Sequence, residues 1–110
     1  MAIYSGYNDE RDENGRLLVT KDGETFSPAK SQKFWNHGSE FNWGYGGSGP
    51  AQLALAILLE ETDEATAMRL HQRFKWQVIA ALNQNEGWEL TSDRIQKWIE
   101  VAKVTKGNFL

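Results

Sequence analysis

The first third of the chain has short apolar runs separated by charged turns, a pattern typical of strands. Ala2–Tyr7 and Arg16–Thr20 are rich in β-branched and aromatic or aliphatic residues. Asp22-Gly23 follows the second run, and Asp-Gly between two strand-like runs predicts a hairpin. The return strand is predicted at Glu24–Ser27 and stops at Pro28. We therefore expect a small antiparallel sheet of two or three strands.

The next segment, Ala29–Gly49, has neither strand nor helix periodicity. It holds large aromatic residues among polar residues and glycines, namely Phe34, Trp35, Phe41, Trp43 and Tyr45. Flexible linkers are rich in small polar residues and do not carry so many large aromatic side chains. The segment is therefore predicted to be an ordered loop that its own aromatic residues hold in place.

The second half has the spacing of helices. Only Gln52 is polar between Ala51 and Leu59, and a helix that is apolar on all sides is typically buried. Pro50 suits the first position of this helix, with Ser48 or Gly49 as its N-cap. We expect this helix to lie at the centre of the core.

Two further helices follow. The first is predicted from a cap at Thr62 to about Asn83, with one apolar stripe of Ala67, Leu70, Phe74, Val78 and Ala81. Trp88 and Leu90 are expected in a short extended segment. The last helix is capped by Thr91 or Ser92 and has an apolar face of Ile95, Trp98, Ile99 and Ala102.

Together these elements predict an α+β fold. A chain of 110 residues has the length of a single domain, residues 1–110. Within it we distinguish a β-rich part at 1–33, the aromatic, glycine-rich loop at 34–50 and three helices at 51–105. The sheet and the loop are expected to pack on the three-helix core, because an isolated sheet of two or three strands is marginally stable in water.

Composition excludes several classes. The chain has no cysteine, which excludes a disulfide scaffold, a zinc ribbon and a thiol enzyme. Its 12 basic and 15 acidic residues give a net charge of −3, so we do not expect nucleic-acid binding. The N-terminus lacks the basic start and apolar run of a signal peptide, and the longest apolar stretch, Leu53–Leu59, is too short to span a bilayer. A cytoplasmic protein with no membrane contact is expected.

The densest motif is the glycine-rich stretch before the central helix, with Gly44, Gly46, Gly47 and Gly49. Such a loop can direct backbone N–H groups at an anion, but glycines also serve close backbone approach. The stretch matches GxGxxG without a surrounding βαβ unit, and it lacks the Lys-Ser or Lys-Thr of a phosphate-binding P-loop. If it holds an anion, the candidate ligand-binding residues are His37, Tyr45, Gly46, Gly47, Ser48, Gln52 and Lys75.

No catalytic or metal-binding pattern is visible in the sequence. Ser48 lacks a GxSxG context because Pro50 stands where the second glycine is required. His37 and His71 are not spaced as HxH or HxxxH, and a metal site needs three or four converging ligands. We therefore expect no enzymatic activity, no cofactor and no bound metal, and we read His71 as a partly buried, hydrogen-bonded histidine.

Trp76 lies opposite the apolar stripe of its helix, with Arg69, Gln72 and Arg73 on the same side. A tryptophan among arginines is typical of a protein-binding hot spot, so these four residues are the candidate partner-binding residues. The sheet or the aromatic loop could equally cover Trp76. A homodimer contact at this side chain is a further alternative.

The residues of the loop and of the first helix after it also carry a family resemblance. The stretch Phe41–Ala56 (FNWGYGGSGPAQLALA), with Asn36-His37 before it and His71–Lys75 and Trp88–Thr91 after it, resembles the family of small proteins of unknown function DUF6166. The resemblance covers about residues 34–99. It implies an accessory protein of bacteria, phages and other mobile elements, and it implies no catalytic residue.

Two functions from different classes follow from these observations. The first is a non-enzymatic accessory protein of phage or mobile-element origin that contacts a protein partner, for example to inhibit a host defence or regulatory complex in the host cytoplasm. The second is a protein that binds a small ligand, a nucleotide or another anion with the Gly44–Gly49 loop and the helix starting at Pro50.

Overall fold

A computed structural model describes residues 1–105 of the chain; residues 106–110 of the predicted single domain lie outside the described part. Within the described part the sheet has four strands, all antiparallel to their neighbours. In the order β3-β2-β1-β4 across the sheet, these are β1 Ile3–Arg11, β2 Leu17–Lys21, β3 Glu24–Thr25 and β4 Trp88–Thr91. The α+β class is confirmed, and the sheet has one strand more than the upper limit of the predicted two or three.

The missing strand is β4, which the sequence indicated only as an extended segment. It pairs with the free edge of β1 and places Trp88 opposite Gly6. A Cβ atom built on Gly6 would lie 2.1 Å from Nε1 of Trp88, so the glycine leaves room for the indole ring. The pairing joins segments that are far apart in sequence, and no local pattern reports such a contact.

The predicted hairpin between β2 and β3 is confirmed. Asp22 and Gly23 have φ angles of 53° and 84°, the left-handed values that a two-residue type I′ turn requires. β3 is shorter than the predicted Glu24–Ser27, although the Phe26 N–H still donates to the Val19 carbonyl at 2.8 Å. β1 continues past Tyr7 to Arg11 through a register shift in its pairing with β2.

The regular α-helices of the described part are α1 Ala29–Gln32, α2 Ser48–Glu61, α3 Glu64–Phe74 and α4 Ser92–Val104. The short α1 lies at the start of the segment that was predicted to be a loop. α2 is buried over nearly its whole length, as predicted. It begins at Ser48 with Gly47 as N-cap, so the predicted start at Pro50 is wrong. Pro50 fits inside the first turn because the N–H groups there have no acceptor within the helix.

The caps of the other two helices differ in how well the sequence predicted them. Asp63, and not Thr62, caps α3, and its carboxylate accepts hydrogen bonds from the Thr66 N–H at 2.8 Å and the Thr66 hydroxyl at 2.9 Å. Thr62 instead ends α2. Thr91 caps α4 as predicted and accepts from the Arg94 N–H at 3.3 Å.

The helix predicted to run to about Asn83 changes character at Lys75. Residues Lys75–Ile79 form a π-helical segment, in which the Ala80 N–H donates to the Lys75 carbonyl at 2.7 Å. The wider turn moves the buried position from Val78 to Ile79, which is fully buried, and leaves Ala81 exposed. The predicted stripe is therefore correct for Ala67, Leu70 and Phe74, holds in part for Val78, which is partly buried against the core, and is wrong for Ala81.

α2 forms the centre of the core, with α1, α3 and the π segment packed around it. The inner face of the sheet adds Tyr4, Val19 and Leu90 to the same hydrophobic cluster. None of the helices in residues 1–105 is both long and apolar enough to cross a membrane. This arrangement places the aromatic loop, residues 34–47, over the surface formed by α2, α3 and the π segment.

Candidate functional site

Gln52 fixes the first part of the loop from inside the core. The side chain is fully buried on α2, and its Oε1 accepts hydrogen bonds from the backbone N–H groups of His37 at 2.6 Å and Gly38 at 3.2 Å. Its Nε2 donates to Ser31 Oγ at 2.8 Å and to the Trp35 carbonyl at 3.1 Å. Gln52 was predicted to orient a ligand, but the structure places it under the loop, where these four bonds occupy its amide.

The loop brings His37 onto His71 of α3. Their Nε2 atoms are 2.9 Å apart, and His71 Nδ1 is 2.9 Å from the Met68 carbonyl. Because a carbonyl only accepts, neutral His71 carries its proton on Nδ1 and offers a lone pair on Nε2. His37 must then carry its proton on Nε2 and donate it to His71. The ring of Trp35 stacks on His37, with centroids 4.9 Å apart and planes inclined by 17°.

Burial keeps this histidine pair neutral. Desolvation is the largest cause that lowers the pKa of each imidazole below 6.5, and the charge of Lys75 adds to it in both. The neighbouring imidazole further lowers the pKa of His37. Lys75 therefore lies close enough to act on both rings, four residues after His71 and thus on the same side of the helix.

Lys75 itself is 8% exposed, and its Nζ lies 4.4 Å from the centroid of the Trp76 ring. Burial lowers the pKa of its ammonium group. In residues 1–105 the ion pairs join Arg11 to Glu40 and two other lysines to Glu60, and none involves Lys75. The site therefore holds a cation whose charge no acidic side chain of the described chain balances.

The glycine-rich stretch packs directly on the π segment. The Gly44 N–H donates to the Ile79 carbonyl at 3.0 Å, and Gly44 has a φ of 84°, which favours glycine. A Cβ atom on Gly46 would lie 2.1 Å from Cη2 of Trp76, so the indole rests on the glycine backbone. These glycines therefore serve close approach, and π-helical turns of this kind are frequent at functional sites.

Two other candidates, Tyr45 and Ser48, open to a separate cleft. Its volume is about 290 Å³, and its lining residues are Gly38, Ser39, Glu40, Asn42, Tyr45, Ser48 and Gly49. The Glu40 carboxylate accepts from the Leu17 N–H at 3.2 Å. A carboxylate in the wall opposes binding of an anion, so the predicted ligand set is split. Gly46 and Lys75 contact Trp76 and His37 lies within the influence of the Lys75 charge, whereas Tyr45 and Ser48 line this cleft. Gly47, the N-cap of α2, is covered by the Tyr45 ring.

The four predicted partner-binding residues differ in their surroundings. Arg73 Nη1 donates to the Ala102 carbonyl of α4 at 3.0 Å, which makes it a link between helices. Gln72 and Arg69 are both exposed. Trp76 is 53% exposed, so the loop covers only part of it.

Trp76 and two aromatic residues of the loop are exposed, and of these two the sequence prediction included Tyr45, but not Trp35, in a candidate site. Trp35 is 50% exposed and Tyr45 is 41% exposed, and we call these three side chains the aromatic face. The contacts Trp35–His37 and His37–His71 lead from one indole to α3, and Lys75, four residues after His71, contacts the other indole at Trp76. Trp35 and His71 are the residues that sequence reasoning missed. The four-residue spacing of His71 and Lys75 was the available signal for His71.

Within residues 1–105, histidines and carboxylates form no cluster of three or more that could hold a metal ion. The two imidazoles of the histidine pair hydrogen-bond to each other, which engages the Nε2 atoms that a metal would need. The described arrangement can instead present aromatic surface together with one ammonium group.

A comparison with protein-family models matches residues 4–101 to DUF6166, a family of unknown function. The match confirms the resemblance and extends it to the N-terminal strands. No curated protein and no solved structure matches the chain. Membership of this family assigns no role to any residue.

Proposed function

The chain belongs to the DUF6166 family, and we propose that it is a non-enzymatic binding protein that contacts a protein partner through the aromatic face. One observation carries this proposal. Trp35 and Trp76 are each about half exposed, 50% and 53%, although both are held by contacts with ordered neighbours. Tryptophan and tyrosine are enriched among the residues that contribute most to protein binding.

The loop that carries Trp35 is held rigidly, which favours binding. Gln52 bonds to the backbone on both sides of Trp35's neighbour Asn36, and His37 stacks beneath the indole. A side chain that is already ordered loses less conformational entropy when a partner covers it. The indole of Trp76 is likewise positioned, between Gly46 and Lys75.

The proposal includes the setting that the family resemblance implies. We place the protein in the cytoplasm as an accessory factor of a phage or mobile element, where it blocks a host defence or regulatory complex sterically. A steric mechanism requires only a surface that binds tightly, and we assign that role to the aromatic face.

The test starts from capture of a partner from a bacterial lysate, followed by titration of the purified partner. We expect the double variant Trp35→Ala/Trp76→Ala to bind about 100-fold more weakly than the wild type. Val101→Ala, at an exposed apolar residue of α4, is the control and should bind normally. Equal affinity of the double variant would contradict the proposal. Self-association that depends on Trp76 would identify the partner as a second copy of the chain.

The alternative, a nucleotide or small anion held by the Gly44–Gly49 loop, stays a prediction. Its candidate residues lie in two places, as described above, and Gln52 is engaged by the backbone. A thermal-shift screen with nucleotides and inorganic phosphate tests it. A large shift that is lost in Gly47→Val would favour this alternative over protein binding.

A further inference from the structure

Lys75 carries a positive charge for which the described part of the chain provides no counter-charge. The residue is only 8% exposed, yet in residues 1–105 it has no carboxylate partner. In the part of the chain that the structure describes, the one direct polar interaction of its ammonium group is with the Trp76 ring, whose centroid lies 4.4 Å from Nζ. Partial desolvation of a charge without a counter-charge is costly, and a ring face offsets only part of that cost.

The ammonium nitrogen is nevertheless reachable from outside. Among the described side chains that are not exposed, Trp88 Nε1 is the one fully enclosed nitrogen or oxygen atom without a hydrogen-bond partner. Lys75 Nζ also lacks a hydrogen-bond partner, but it is not fully enclosed by the protein. It therefore retains contact with solvent. A ligand atom can therefore approach it beside the Trp76 ring.

The neighbouring imidazoles cannot supply the missing negative charge. His37 and His71 are neutral or cationic at any pH below that of strong base, and their Nε2 atoms are bonded to each other. His71 Nδ1 is bonded to the Met68 carbonyl. Both rings thus leave the positive charge of Lys75 uncompensated, and that charge in turn lowers their pKa values.

We propose that Lys75 binds the carboxylate of an aspartate or glutamate side chain of the partner protein, at the centre of the aromatic face. This inference rests on the proposed function. The match is one of charge: a single ammonium group neutralises a carboxylate, whereas a phosphate dianion would leave an uncompensated charge in a partly dehydrated site. The indoles of Trp35 and Trp76 then cover the apolar stem of the acidic residue and its neighbours.

The site can be tested without the partner by NMR titration of the full chain. The probes are the blocked peptides acetyl-Leu-Glu-Leu-amide and acetyl-Leu-Gln-Leu-amide, sodium acetate and inorganic phosphate. We expect the glutamate peptide to shift the Trp76 indole N–H signal saturably and to raise the pKa of Lys75. The glutamine peptide should bind about 10- to 100-fold more weakly, the range expected for loss of a charged hydrogen bond.

Variants establish that Lys75 is responsible. Lys75→Met keeps the length of the side chain and should abolish the saturable shift, whereas Lys103→Met on α4 should leave it unchanged. Lys75→Gln is the second variant, for use if Lys75→Met does not give a folded spectrum. An identical titration in wild type and both Lys75 variants would overturn the proposal.

The other outcomes are equally decisive. Tighter binding of phosphate than of the glutamate peptide would overturn the assignment to a carboxylate. Binding of acetate without binding of the glutamate peptide would identify a free small carboxylate as the ligand. It would overturn the assignment of the ligand to a side chain of a partner protein. Because no partner protein is present, this experiment can succeed even if the Trp35 and Trp76 variants show that no protein complex uses the aromatic face.

Discussion

At the scale of single residues, Gln52 shows how one buried amide fixes a surface loop. Its hydrogen bonds to His37, Gly38, Ser31 and Trp35 are the points at which the loop is attached to α2. We expect Gln52→Leu to lower the free energy of unfolding by about 3 kcal/mol, because it leaves several backbone groups without partners in a buried place. Urea denaturation measures this change.

Gln96→Leu is the matched control for this prediction. Gln96 also bonds through Nε2, to the Glu61 carbonyl at 2.7 Å and its carboxylate at 3.0 Å, but it is exposed and water can replace it. Its loss should cost less than about 1 kcal/mol. Similar costs for the two variants would mean that the loop does not depend on Gln52.

The histidine pair makes stability depend on pH at the same scale. Burial lowers the pKa of His37 and of His71 below 6.5, so between the lowered value and 6.5 the unfolded chain binds more protons than the folded one. Stability from these groups is therefore complete above pH 6.5 and declines as the pH falls below it. Two protonated rings also cannot share the contact of 2.9 Å, since two N–H groups would then face each other.

We expect the free energy of unfolding to decrease from about pH 7.5 to about pH 5 more steeply in the wild type than in His71→Gln. The glutamine removes the imidazole of His71 and, with it, the restriction on protonating His37. Denaturant unfolding at several pH values measures both slopes. Parallel profiles for the two proteins would contradict the prediction, because they would mean that folding does not hinder protonation of the two imidazoles.

At the scale of elements, the π segment determines which of two neighbouring apolar residues contributes more to stability, and a regular helix would give the opposite order. Ile79 is fully buried, whereas Val78 is only partly buried. Ile79→Ala should therefore cost about 3 kcal/mol of unfolding free energy, and Val78→Ala about 1 kcal/mol or less. A continuous α-helix with the spacing Phe74–Val78 would give the opposite order. Chemical denaturation of the two variants distinguishes them.

The same element shows why prediction from sequence succeeded in some places and not in others. The Asp22-Gly23 turn, the buried α2 and the Thr91 cap depend on residues next to each other, and the sequence predicted all three. The π segment receives the Gly44 N–H on its Ile79 carbonyl, a contact between distant parts of the chain. Local periodicity carries no information about such a contact.

The candidate site follows the same rule. Lys75 and His37 were predicted as candidates from their residue types. The structure places the charge of Lys75 near the imidazole of His37, whose pKa it lowers. Their meeting depends on the contact between loop and α3 at His71, which is not local. Trp76 was predicted to lie opposite the apolar stripe, and its partial exposure was settled only by the loop that packs on it.

At the scale of the whole molecule, Glu61 connects the sheet with the helices. Its Oε2 accepts from the Tyr4 hydroxyl of β1 at 2.6 Å and from the Ser92 hydroxyl of α4 at 2.8 Å. Ser92 Oγ also accepts from the Ala2 N–H at 2.9 Å. Since Glu61 ends α2, these bonds hold one end of the central helix to both of the layers that flank it.

Tyr4 at this junction makes stability depend on alkaline pH. Burial, and secondly the hydrogen bond to Glu61, raise the pKa of its hydroxyl far above 10.0. The folded protein therefore keeps this proton at a pH where the unfolded chain releases it, so the stability that Tyr4 contributes is complete below pH 10 and is lost as the pH rises further. Tyr4→Phe removes the titrating group and one hydrogen bond.

We accordingly expect Tyr4→Phe to cost about 1 kcal/mol at neutral pH and to lose less stability than the wild type between about pH 9 and about pH 11. Ser92→Ala is the control, because it removes the other hydroxyl on Glu61 and keeps the phenol of Tyr4. It should retain the alkaline slope of the wild type. If Tyr4→Phe retained that slope as well, the alkaline loss would arise elsewhere, and the junction at Glu61 would couple sheet and helices without the proton of Tyr4.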